Sequence, residues 1–101
     1  MRVSLHTGDP GEIGGGIADE ANYDGYRRVE ERFTGRGTIG DNFSEVEAVA
    51  CFPQCTGGFN RIRFFGLIAD GVLVDKGELE EELVVGNGVM TELTIKHRSS
   101  V

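Results

Sequence analysis

Apolar and polar residues alternate most clearly over residues 59–85, FNRIRFFGLIADGVLVDKGELEEELVV. Ile62, Phe64, Gly66 and Ile68 share one face at a period of two, and Arg61, Arg63, Phe65 and Leu67 share the other, which is the pattern of a half-buried strand. Asp70-Gly71 separates two apolar runs, and an Asp-Gly pair supplies the positive φ angles of a tight hairpin. Residues 72–74 return as a second strand, Asp75-Lys76-Gly77 interrupts it, and residues 79–85 form a third. Nothing in this stretch sets a nucleophile beside a base, so it reads as a wall that favours assembly or binding over catalysis.

The flanking segments extend the same pattern. Residues 2–6 predict a strand with Val3 and Leu5 on one face. Thr7-Gly8-Asp9-Pro10-Gly11 is a turn cluster, and residues 12–22, with Gly14-Gly15-Gly16, predict a long surface loop with at most one helical turn around Ala18 to Ala21. Residues 26–33 predict an edge strand, because charges fall on both faces. Residues 34–42 predict a loop and residues 43–52 a strand ended by Pro53, with Val46, Ala48 and Ala50 on one face. Gly86-Asn87-Gly88 predicts a hairpin turn into a last strand over 89–96, followed by a polar tail over 97–101. The expected fold is all-β: one domain over residues 1–101, a small antiparallel β-sandwich or jelly-roll-like barrel of about seven strands, with long glycine-rich loops at 7–25 and 34–42.

Composition narrows the function classes. The 16 glycines with only 2 prolines agree with many turns between short strands. A net charge of −7, from 10 Lys and Arg against 17 Asp and Glu, argues against a nucleic-acid partner, whose phosphates call for a basic stripe. No apolar run approaches the ~20 residues of a membrane-spanning helix, and the first residues lack the apolar centre of a signal peptide, so the expected site of synthesis and assembly is a cytoplasm. Cys51 and Cys55 read as two thiols in such a compartment, one at a strand end and one in a loop.

The residues with chemical potential fit bland roles better than catalytic ones. His6 and His97 lack the spacing of a metal pair and read as surface or strand-end histidines. Cys51 and Cys55 make half of a zinc pattern without its second half. Asp9, Glu12, Asp19, Glu20 and Asp24 crowd one loop but do not match a calcium loop; Ca²⁺ is the only ion worth testing, and no cofactor is expected. Gly14-Gly15-Gly16 lacks the Lys-Ser/Thr of a phosphate loop. Glu78, Glu80 and Glu82 fall on one face of a strand and form either a solvated strip or a docking strip for arginines of a neighbouring subunit. Phe65 beside Arg63 is either core or an exposed aromatic at an interface.

Three short motifs carry a resemblance. Leu5-His6-Thr7-Gly8-Asp9-Pro10-Gly11 is followed, past a glycine-rich loop, by Asp24-Gly25-Tyr26-Arg27-Arg28-Val29. Phe52-Pro53 precedes Thr56-Gly57-Gly58, and Ile62-Arg63-Phe64-Phe65-Gly66-Leu67 precedes Gly77-Glu78-Leu79. Together they resemble a family of small virion proteins of tailed bacteriophages, with Arg27 where that family has alanine and without its frequent tryptophans. The resemblance implies a non-enzymatic β-sandwich of the particle, a capsid decoration or tail-fibre-associated component with no catalytic residues. The expected partners are the major capsid protein or neighbouring virion subunits, and further copies of the chain in a homo-oligomer. The expected interface residues are Asp9, Pro10, Tyr23, Tyr26, Arg28, Arg63, Phe65, Glu80 and Glu82, with the loops at 7–25 and 34–42 as arms that order on docking. A glycan-binding module is the alternative of another class, with Tyr23 and Tyr26 as its only aromatic platform.

Overall fold

The computed structural model describes residues 1–38 and 43–100, and their side chains over 1–32 and 48–95. The chain is all-β, with no helix among the described residues. Its strands are β1 (Arg2–His6), β2 (Val29–Glu30), β3 (Arg32–Thr38), β4 (Phe43–Cys51), β5 (Phe59–Ala69), β6 (Val72–Gly86) and β7 (Glu92–Ser100). One sheet has the order β2-β1-β5-β6 and the other β3-β4-β7, with antiparallel neighbours throughout.

Alternation decides what each sheet buries. Val3 and Leu5 are fully buried, and their cross-strand partners Leu67 and Phe65 lie on the same face. Ile62 and Val85 from the first sheet join Ala50 and Ile95 from the second in one apolar cluster. Ala21, Tyr23, Phe52 and Cys55 complete it from the connecting segments. Burying a Val, Leu or Ile side chain in such a cluster is worth about 1.5–3 kcal/mol.

The opposite face of the first sheet is buried as well. Ser4, His6, Gly66, Ile68 and Leu73 all lie below the surface, together with Pro10. The cover is the glycine-rich segment that the sequence predicts to be a free loop. Its Gly14 N–H donates to Leu73 O at 2.9 Å, and Lys76 Nζ on β6 donates to Gly11 O at 2.6 Å. At its far end Thr7 and Ala21 N–H donate to Asp19 O and Leu5 O, which pins the return of the segment along the free side of β1. The segment is therefore a strap across the sheet rather than an arm, and no helical turn forms in it.

Other expectations need correction. The Asp70-Gly71 hairpin forms, with φ of 52° and 77°. Gly77, however, does not interrupt the return strand: it pairs with Phe65, whose ring lies where a Cβ would stand, at 2.5–2.6 Å. The ladder shifts register on either side of Gly77: at Val74, where Leu67 pairs with Asp75 and Ile68 with Leu73, and further along, where Ile62 pairs with Leu83 and Phe64 with Glu78, so that Arg63 alone stands opposite Leu79-Glu80-Glu81-Glu82. Gly86-Asn87-Gly88 turns the chain but closes no hairpin, because β6 and β7 belong to different sheets. Residues 88–91 pair instead with the segment after β4: Phe52 N–H donates to Thr91 O and Cys55 N–H to Val89 O, both at 2.9 Å. The predicted edge strand over 26–33 is split, with Val29–Glu30 at the edge of one sheet and Arg32–Thr38 at the edge of the other. The predicted loop over 34–42 is strand up to Thr38, and its remainder, 39–42, lies outside the described residues. The predicted tail over 97–101 continues β7 to Ser100, and Val101 lies outside the described residues.

Candidate functional site

Two places on the molecule concentrate chemistry: a polar network under the strap, and a groove where β6 departs from β5.

The network starts from strand alternation, which turns Ser4 and His6 away from the apolar cluster and onto the covered face. His6 Nδ1 lies 2.7 Å from Ala18 O and Nε2 lies 2.6 Å from Ser4 Oγ. A carbonyl oxygen only accepts, so Nδ1 carries the proton and the Ser4 hydroxyl donates to Nε2. Burial holds the imidazole pKa below its usual value, against the opposing pull of the Ala18 hydrogen bond and the Glu20 carboxylate. Gly66 makes room for the pair: a Cβ there would stand 2.7 Å from Ser4 Oγ and 3.1 Å from His6 Nε2. A serine hydrogen-bonded to an imidazole is the arrangement of an activated nucleophile. Here both side chains are 0% exposed, so no substrate can reach the oxygen, and the pair serves to hold the strap.

Beside it, Glu20 receives three hydrogen bonds. Arg28 donates twice, Nε at 2.9 Å and Nη2 at 2.8 Å, and Tyr26 Oη donates at 2.5 Å. Burial works against the charge on Glu20, but these donors outweigh it and keep the carboxyl below the usual range. Burial, with the Glu20 carboxylate, pushes the Tyr26 phenol well above its usual value. The same oxygen accepts the Leu5 N–H at 3.2 Å, at the point where β2 no longer lines β1. Tyr26 also stacks on Phe52, with ring centroids 6.2 Å apart, and meets Tyr23 edge-on at 5.4 Å.

The groove lies between the departing stretch of β6 and the start of β7. Phe65, Leu79, Leu83 and Leu93 are half-buried and pack against the apolar cluster from outside. Glu78, Glu80 and Glu81 stand exposed around them.

The nine residues expected at an interface are scattered over these places and beyond. Pro10 and Tyr23 are buried, so neither presents a surface to a partner; the first lies within the strap itself and the apolar cluster holds the second. Asp9 is exposed, but it accepts the Gly11 N–H and pairs with Lys76 at 2.7 Å, which holds its carboxyl below the usual range. Tyr26 and Arg28 come together through Glu20. Phe65 and Glu80 share the groove, Glu82 is exposed and pairs with Arg61 at 3.3 Å, and Arg63 is exposed opposite the departing stretch. His6, read from sequence as a surface or strand-end residue, ends β1 and is the centre of the buried network; its alternation with Leu5 marked the face it shares with Ser4 but not the cover over it. Both thiols are free, Cys51 exposed and Cys55 buried with its Sγ 3.1 Å from Gly57 O. Among the described residues no three His, Cys, Asp or Glu side chains gather as metal ligands.

These features define an all-β chain of two antiparallel sheets whose polar centre is structural and whose open chemistry lies at one sheet edge. Comparison with family models, with curated proteins and with solved structures gives no match.

Proposed function

We propose that the chain is a structural component of a tailed-bacteriophage particle, a decoration or cement protein that docks on the assembled shell. The observation that carries this reading is that the two halves of the first resembling motif meet in space. Tyr26 Oη accepts the Leu5 N–H, and Glu20, which binds Tyr26 and Arg28, is bridged to His6. Residues far apart in sequence thus build one folded unit, which supports a likeness of scaffold over a coincidence of short words.

The exposed surface suits docking. Phe59, Val72, Val74 and Val84 stand 39–54% exposed along β5 and β6, and β6 is an edge with one side unpaired in its sheet. A module of this size that binds weakly at each of many symmetric sites adds stability to a shell through multiplicity. Docking through ordering arms loses its support over 7–25, since the strap is already hydrogen-bonded to the sheet. The glycan-binding alternative loses its platform, because Tyr23 is buried and Tyr26 is committed to Phe52 and Glu20.

Quantitative mass spectrometry of purified particles tests the reading. A copy number equal to that of the major shell protein, or a simple fraction of it, is expected. A handful of copies per particle would move the chain to the tail or its fibres, and none would overturn a virion role.

A further inference from the structure

We propose that the groove between β6 and β7 is the docking site for an extended, basic segment of a partner subunit, with apolar side chains on its inner face and Lys or Arg flanking them. The inference rests on the reading of the chain as a particle component and names the surface and the partner chemistry.

Three observations converge. First, the ladder between β5 and β6 lapses where Arg63 faces Leu79-Glu80-Glu81-Glu82, so this part of β6 is not held in register by β5, its neighbour in the sheet. An extended segment laid against it finds backbone donors and acceptors. Second, the floor is apolar. Phe65, Leu79, Leu83 and Leu93 form a continuous lining that the chain itself covers only in part. Third, the charged residues that line the groove are all acidic, with Arg63 standing outside the lining on β5. Among the described residues Glu78, Glu80 and Glu81 have no ion pair, whereas nearby Glu82 is matched by Arg61 and Glu20 by Arg28. Glu92, also at the rim, accepts a long 3.9 Å contact from Cys51 Sγ and has no ion pair among the described residues. An apolar floor inside an acidic rim selects apolar anchors flanked by cations.

The test uses the full chain, isotopically labelled, and the blocked peptide Ac-Lys-Leu-Lys-Leu-Lys-amide as probe. The expected result is amide shifts confined to Phe65, residues 78–83 and residues 92–94, with binding that weakens as salt rises. The exposed double substitution Glu80→Lys/Glu81→Lys should weaken binding about tenfold and leave the thermal midpoint in place, whereas Leu93→Ala tests the floor at some cost in folding. Shifts spread over the surface, or equal shifts with Ac-Glu-Leu-Glu-Leu-Glu-amide, would overturn the proposal. So would groove shifts that follow the chain's own concentration without peptide, which would assign the groove to a second copy. On particles, the double variant should be lost. If it is retained at the wild-type copy number, the groove is not the docking surface although the particle reading stands. If the wild-type chain is itself absent from particles, that reading falls while the peptide titration still decides the groove.

Discussion

Two tyrosines a few residues apart offer the sharpest test of the buried network. Tyr26 Oη donates to Glu20 and accepts the Leu5 N–H, which lies in a strand whose residues from Val3 to His6 are 0% exposed. Tyr23 Oη is buried and finds no hydrogen-bond partner among the described residues. The same chemical change, Tyr to Phe, should therefore have different consequences. In Tyr26→Phe the Leu5 N–H loses its acceptor, at a cost of about 1–3 kcal/mol, and the Glu20 carboxylate loses a donor. A net loss of about 2 kcal/mol lowers the melting temperature of a domain of this size by about 8–16 °C, at 4–8 °C for each kcal/mol. In Tyr23→Phe no bond is lost and a buried unpaired hydroxyl is removed, so stability should hold or rise by up to about 1 kcal/mol. Urea and thermal unfolding followed by circular dichroism read both variants. Equal losses in the two variants, or a Tyr26→Phe protein within about 0.3 kcal/mol of wild type, would refute the assignment of the network as the clamp between strap and sheet.

His6 should make stability fall with acidity. Its pKa is depressed in the fold, so between that value and the unfolded value of about 6.5 the unfolded chain binds more protons, and stability drops by up to about 1.4 kcal/mol per pH unit as pH falls. Urea midpoints between pH 7.5 and 5.5 should slope in wild type and flatten in His6→Gln; equal slopes would place the titration elsewhere. Gly66→Ala puts a Cβ 2.7 Å from Ser4 Oγ and 2.9 Å from Leu73 Cδ1 and should cost about 1–3 kcal/mol by calorimetry, whereas Gly16→Ala, with open space at its Cβ, should be neutral or stabilising. Iodoacetamide should modify Cys51 in the native protein and Cys55 only after unfolding, as resolved by peptide mass; equal rates would contradict the buried position of Cys55.

What could be read from sequence was local. The Asp70-Gly71 turn needs only its own φ angles, and β1 needs only the alternation of Val3 and Leu5 with Ser4 and His6, so both were legible. Period two says which side chains share a face, but not what covers that face. The outer face of β1 and β5 therefore read as open, although Pro10 and the strap close it. Gly77 read as a break because its partner, the ring of Phe65, comes from another strand. Gly86-Asn87-Gly88 has hairpin geometry, yet the sheet that β7 joins is decided by the contacts of residues 88–91 with 52–55. Of the candidate site, the glutamate run and Phe65 were visible, but their convergence on Leu93 depends on how the two sheets meet.

The glycine-rich strap shows why composition misled. Three consecutive glycines make a loop costly to order, so it reads as free. The order is supplied at its two ends, by Lys76 and Leu73 on β6 and by His6 and Leu5 on β1, and none of these contacts is local in sequence. The residues in the first resembling motif are the ones consumed in making them: His6, Asp9 and Pro10 at one end, Tyr26 and Arg28 at the other. A side chain that holds a strap to a sheet is not available to hold a partner. On the proposed reading a partner is then recognised by surface that the motif leaves untouched, and among the described residues the acidic rim over Leu79, Leu83 and Leu93 is where charge and apolar area coincide on that surface.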